Sequence, residues 1–225
     1  MRISEYPYLI WVVWIVLAGA FVVALISQHW SNVFVTVTAL LLTIMPSVVS
    51  KRFEIRLPVS FLLAIALFVF ATLFLGEVFE FYDRFWWWDL VLHGVSAIGL
   101  GVVGFLYILY LFEGDKYAAP PWALGMIAFT FAVALGALWE VFEFGMDQFF
   151  GLNMQKSGLV DTMTDLLVDA VGAFISAVSG FFWLKGRQVG VGGMIEEFVQ
   201  LNRTTFRKLK SQAESRWPPN ARGRD

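Results

Sequence analysis

The sequence predicts an all-α integral membrane protein with six transmembrane helices. Three observations carry this. Of 225 residues, 59% are hydrophobic and 15% charged, whereas a soluble domain carries about 25% charged residues and cannot hide this much apolar surface. Six apolar runs approach or exceed the roughly 20 residues that a helix needs to cross about 30 Å of hydrocarbon. Lys and Arg also gather in alternate connections, as they do on the cytoplasmic side of membrane proteins.

The first span covers residues 8–27. Its apolar run is too long for a secretory signal, and its "VVALIS" end is a poor cleavage site, so it reads as a retained helix. The others cover residues 33–50, 58–81, 87–112, 121–145 and 159–184. Pro58 and Pro121 fall at helix starts, where a missing N–H costs little. Three tryptophans at 86–88 mark the outer interface as an aromatic belt. Residues 185–225 form a basic tail. There Ile195, Phe198, Val199, Phe206 and Leu209 recur at helical spacing, as in an amphipathic helix on the inner leaflet or a plain solvated helix. The organisation is thus an N-terminal hairpin (1–57), a four-helix bundle (58–184) and a tail.

One side of the membrane receives Arg2, Lys51, Arg52, Arg56, Lys116, Lys185 and Arg187, the other only Arg84 and Lys156. Both termini are therefore expected in the cytoplasm of a multi-pass inner-membrane protein. The chain has no cysteine, which excludes disulfides and thiolate metal sites. The tail mixes its bases with Glu196 and Glu197, and nothing points to nucleic acid.

The pentamer "EVFEF" occurs at 77–81 and again at 140–144, each time where an apolar run ends. Each copy is followed by an Asp-led helix returning inward, "DLVLHGVSA" at 89–97 and "DLLVDAVGA" at 165–173. These align without gaps, with Asp89 on Asp165 and His93 on Asp169. Spans 3–4 and 5–6 read as a tandem hairpin repeat; the alternative is an amphipathic pattern recurring without common ancestry.

Residues four apart lie on one inclined ridge of a helix. Such rows read Ala64, Phe68, Thr72, Gly76, Glu80 on span 3 and Asp89, His93, Ala97, Gly101 on span 4. On span 5 the row is Ala128, Ala132, Gly136, Glu140; on span 6 it is Asp161, Asp165, Asp169, Ala173, Ala177. Small residues let helices approach in lipid, so the faces that pack are the faces that carry the acids. Ten of the 18 acids fall in the outer set around these rows. Asp169 lies two turns past Asp161, roughly 12 Å deeper. Charged groups at that depth face the bundle interior and mark function. Carboxylates in close company there must share protons or hold a cation.

The residues expected in such a site are Glu80, Asp89, His93, Glu140, Glu143, Asp165 and Asp169, with Asp89, His93, Asp165 and Asp169 expected to carry any catalysis. Asp161 has an alternative as N-cap of the last span, and Trp139 reads as packing. Asp89-x-x-x-His93 and Glu140-x-x-Glu143 place pairs of ligands one turn apart, as helical bundles do when they build carboxylate-rich metal centres. One histidine among carboxylates suits a divalent Mg, Mn, Ca, Fe or Zn ion; no organic cofactor is expected.

"WEVFEFGMD" followed by "GLVDTMTDLLVDAVGA", together with "DLVLHGVSAIGLG", resembles the YjdF-like inner-membrane proteins. More distantly, the Asp-x-x-x-His helix followed by the Asp-led "DLLVDAVGA" helix is similar to VanZ-like proteins. The similarity runs from about Leu75 to Gly180, and Asp169 stands where a VanZ-like helix tends to have Asn. The resemblance implies a cell-envelope membrane protein and no particular chemistry. Three functions follow from the residues: a metal-dependent enzyme or binding protein acting on an envelope lipid or lipid-linked substrate, a proton- or cation-coupled transporter, and a non-catalytic interaction protein. A transporter needs polar groups along its whole path, yet the inner halves of spans 4–6 offer only Gly, Ala and scattered hydroxyls such as Thr130, Ser176 and Ser179.

The charge asymmetry yields a direct test. A reporter that fluoresces only in the cytoplasm, fused after Asp225, is expected to fluoresce; silence there, with activity of a periplasm-dependent reporter at the same point, would reverse the orientation.

Overall fold

The computed structural model describes residues 7–112 and 119–216, with side chains for all of these except 209, 210 and 212–216. Arg2, Lys116 and the Leu209 side chain, used above, lie outside them. Among the described residues all regular structure is helical: α1 (Tyr8–Ile26), α2 (Trp30–Arg52), α3 (Val59–Val69) continuing as a π-helical stretch (Phe70–Val78), α4 (Phe81–Arg84), α5 (Trp88–Leu111), α6 (Pro121–Phe150), α7 (Leu159–Leu184), α8 (Gly192–Leu201) and α9 (Arg203–Arg216). Six of these helices, counting Val59–Val78 as one, are long and apolar enough to cross a membrane. Pro58 caps α3, and Pro121 opens α6 behind a Pro120 cap. α6 runs to Phe150, five residues past the expected end, and stops at Gly151 with φ 67°. Glycine reaches that left-handed conformation without a Cβ clash.

The chain forms two compact units, residues 1–92 and 93–225, divided inside α5 between Leu92 and His93. In the first, α1, α2 and the third span pack around Val13, Leu17, Ala39, Val69 and Phe74. Ile10, Leu62 and Ala66 form a second cluster. Polar groups within it are satisfied locally: Trp14 Nε1 donates to Thr43 Oγ1 at 3.0 Å, and the Thr36 and Thr43 hydroxyls donate to carbonyls of their own helix.

The third span corrects one expectation. A row of i+4 residues drifts around even a straight α-helix, and along this one Ala64 is already exposed while Gly76 is buried. From Phe70 the bonding turns π, ending with the Phe79 amide donating to Phe74 O, five residues back. The wider turns rotate the face, so Phe74 and Gly76 are buried while Glu77 and Glu80 are exposed. A Cβ at Gly76 would run into the Tyr82 ring, which would have to shift to admit it. Glu80 itself takes φ 57°, the left-handed region, and turns the chain into α4.

In the second unit α6 packs antiparallel on α7. Gly125 meets Ala177, where an added Cβ would stand 3.2 Å from the carbonyl oxygen, and Gly136 meets Asp169. α5 packs parallel on α7: Gly94 faces Val168 and Gly172, Gly101 faces Ser176, and Phe105 lies over Gly180. Ser176 Oγ donates to Ile98 O at 2.6 Å. These partners sit 76 or 78 positions apart where hydrogen bonds join them, close to the offset by which the sequence aligns Asp89 with Asp165. Small residues at each crossing allow backbone-level approach. The rows expected on spans 4–6 are largely buried: Ala97, Gly101, Ala128, Ala132, Gly136, Ala173 and Ala177 line these seams.

The tail also departs from expectation. Its apolar face does not stay open for a leaflet: Ile195, Phe198 and Phe206 are buried within the protein. Trp183 Nε1 at the end of α7 donates to Glu196 Oε2 at 2.7 Å, and the Val191 amide donates to Ser179 Oγ at 3.4 Å. α8 is thereby seated on the end of α7.

Gly172 offers a test of the α5–α7 seam. A Cβ there would meet Gly94 O and stand 2.9 Å from Ala97 Cβ. Gly172→Val is expected to lower stability by about 1–3 kcal/mol through overpacking, read as thermal unfolding in detergent. Gly99→Val, in open space on the same bundle, should cost less; equal losses would sink the close-packing account.

Candidate metal centre

The buried ends of α5, α6 and α7 carry ionisable groups at the most costly place in an apolar bundle. α5 brings Asp89 and, one turn on, His93; α6 brings Glu140 and Glu143; α7 brings Asp165 and Asp169. Asp165 and Asp169 are each 1% exposed, Glu140 4%, His93 7%, and Asp89 is half-buried. Their common burial follows from the 3.6-residue period, which repeats a face every three to four positions.

His93 stands at the centre. Its Nδ1 lies 3.4 Å from both Asp169 oxygens, and its Nε2 lies 3.8 Å from Glu140 Oε1. Asp89, His93 and Asp165 present ligand atoms all within 4.8 Å of one another. Opposite ligands of an ion bound at about 2.1 Å are about 4.2 Å apart, so this triad matches the span of one divalent coordination sphere. Both Glu140 oxygens and Asp169 Oδ1 are buried and accept no hydrogen bond among the described residues. Thr162 approaches Glu140 as a hydrogen-bonding neighbour without reaching full hydrogen-bond geometry, and the charges of His93, Asp161 and Asp169 act on it. Gly136, one turn before Glu140, makes room for Asp169, whose carboxylate occupies the space a Cβ would fill. This triad of Asp, His and Asp could hold a metal ion.

Two of the seven expected residues stand apart from that grouping. Glu80, in the first unit, is exposed and pairs with Arg84 at 3.3 Å. It lies past the π-helical stretch, where its left-handed backbone (φ 57°) turns the chain away from the third span. Glu143 is buried, and its Oε1 accepts from Trp139 Nε1 at 2.8 Å. Trp139, read as packing from sequence, therefore has a polar role: indole N–H is a donor without an acceptor, and i+4 spacing puts it over the carboxylate.

Residues 9–186 match the family DUF2238, described as "Predicted membrane protein". The chain belongs to that family. It is also 28% identical, over 145 residues, to an "Uncharacterized protein" of Thermotoga maritima, an alignment covering 61% of this chain and 74% of the relative. No solved structure matches the chain. The family is compatible with the YjdF-like resemblance; the VanZ-like one finds no support there. With six candidate spans, the DUF2238 member is a multi-pass membrane protein.

The connection after α6 is held by acids of the two helices that flank it, Asp147 of α6 and Asp161 of α7. Asp147 Oδ1 accepts from the Met154 amide at 2.7 Å and Oδ2 from the Gln155 amide at 2.9 Å. Asp161 was expected as a candidate N-cap of α7. That position is Gly158, with φ 62°, and Asp161 instead accepts from the Lys156 amide at 3.1 Å. Gln155 Nε2 donates to Thr162 Oγ1 at 2.5 Å. No periodic signal announces such bonds, because loop amides seven and eight residues on have no fixed bearing.

Asp147→Ala should free both amides. Charge-assisted hydrogen bonds contribute about 1.5–3 kcal/mol each, so hydrogen exchange at Met154 and Gln155 is expected to quicken by at least tenfold. Unchanged exchange would show that the loop is held by something else.

Proposed function

We propose that the protein is an outward-facing intramembrane binding site for a divalent cation, with the ion serving a reaction on, or capture of, an envelope lipid or lipid-linked substrate. The observation that carries this is the grouping of Asp89, His93 and Asp165 within 4.8 Å at the buried ends of two helices, with Glu140 and Asp169 against the same imidazole. Five ionisable groups drawn together at hydrocarbon depth are strongly unfavourable unless protons or a cation offset them. An ion there could polarise a phosphoryl oxygen or lower the pKa of a bound water. Asp89, the least buried member, gives the group its approach from outside. Transport is less favoured. Past the cluster the seams are lined by Ala97, Ala128, Ala132 and Ala173, all fully buried, and the Ser176 and Ser179 hydroxyls are committed to the carbonyls of Ile98 and Ile175.

The test is elemental analysis of the purified protein together with His93→Ala and Asp165→Asn. A stoichiometric divalent metal in the wild type and its loss in both variants are expected. Metal retained in full by both variants would end the coordination reading. Metal absent from all three would move proton coupling ahead, to be followed by a pH-jump flux assay in liposomes.

A further inference from the structure

We infer that Glu140 is a fourth ligand of this cation and that Asp169 is a positioning residue, which accepts the Nδ1 proton of His93 and so presents Nε2 to the ion. The inference rests on the cation reading above. A neutral imidazole has one N–H and one lone pair, and a metal-bound histidine as a rule gives its other N–H to a carboxylate or carbonyl. Beside Asp89 and Asp165 of the triad, two further carboxylates, Asp169 and Glu140, face this ring. Asp169 sets both oxygens 3.4 Å from Nδ1, whereas Glu140 sets one oxygen 3.8 Å from Nε2. The closer, two-oxygen approach marks Nδ1 as the donor side.

Glu140 has the opposite character. Its two oxygens are buried without a hydrogen bond of full geometry among the described residues, Thr162 approaching only as a neighbour, and an ionised carboxylate in that state calls for a positive charge. Neighbouring ligands of one ion at about 2.1 Å lie about 3 Å apart, so Glu140 Oε1 need close on Nε2 by under about 1 Å. Asp169 has no such freedom, being seated over the bare α6 backbone at Gly136. Three carboxylates and one imidazole nitrogen then surround the ion. That donor set favours a first-row ion of the Mn, Fe or Zn type over Ca or Mg, which take oxygen throughout.

The experiment uses full-length protein loaded with Mn(II), read by binding titration and by pulsed electron paramagnetic resonance of the ring nitrogens. One Mn(II) per chain is expected, with one coordinated imidazole whose remote nitrogen carries a hydrogen-bonded proton. Asp169→Asn should keep that stoichiometry, weaken binding about 10–100-fold, and alter the remote-nitrogen signal. Glu140→Gln should weaken binding without altering that signal, and Glu140→Asp should recover part of the loss. Unchanged affinity in Asp169→Asn or Glu140→Gln, outright loss of the ion in Asp169→Asn, or two Mn(II) per wild-type chain would each overturn the assignment and leave the cation reading standing. A wild type that binds no Mn(II), Fe(II) or Zn(II) would remove both. Should a variant not fold, the wild-type spectrum alone decides: a remote nitrogen without a hydrogen-bonded proton defeats the role given to Asp169.

Discussion

The contact of His93 with Asp169 on one side and Glu140 on the other is the constraint on which the second unit depends. It requires three helices to bring side chains to one point in a medium where none of those groups is at ease alone. Leaving one partner unmatched in such surroundings costs several kcal/mol, so the approach of the helices cannot be loose. The small residues answer that requirement. Gly136 clears the space for Asp169, Gly172 lets α7 close on α5, and Gly125 lets α6 close on α7. In lipid the tails compete with Leu and Phe for apolar contact, so close backbone packing is what holds helices together. The same residues that make the bundle tight make the acid cluster possible.

Much of this was legible in the sequence, and for identifiable reasons. Hydropathy locates the spans because the bilayer imposes a length on them. The i+4 rows on spans 4–6 locate Asp89, His93, Glu140, Asp165 and Asp169 because those helices remain regular through the relevant turns. Where regularity lapses, so does legibility. Glu80 lies past the π-helical turns from Phe70 to Val78 and off its expected face, and no residue in "FATLFLGEV" declares i+5 bonding in advance. The loop contacts of Asp147 and Asp161 depend on where a short irregular segment comes to rest. The tail's amphipathic pattern was correctly visible, but a pattern names a face and not what covers it. Here Trp183 and the end of α7 take the place given to lipid.

DUF2238 membership fixes the setting of the chain in a membrane without supplying a reaction, so the chemistry has to be argued from the site. Its donors are unlike in kind. Asp89 and Asp165 lie close to His93, Glu140 accepts no hydrogen bond of full geometry among the described residues, and Asp169 is seated against the helix backbone at Gly136. Identical carboxyl groups thus occupy three different environments.

The parallel packing of α5 on α7 has a further consequence. Residues of α5 meet residues of α7 some 76 to 78 positions on, His93 beside Asp169 and Ile98 beside Ser176, so the two helices advance together through the contact. Their contents differ: a base stands at 93 and an acid at 169. The helices run in step, whereas the groups they bring together are unlike on the two sides of the contact. A substrate arriving between two such helices would meet unlike groups on its left and right.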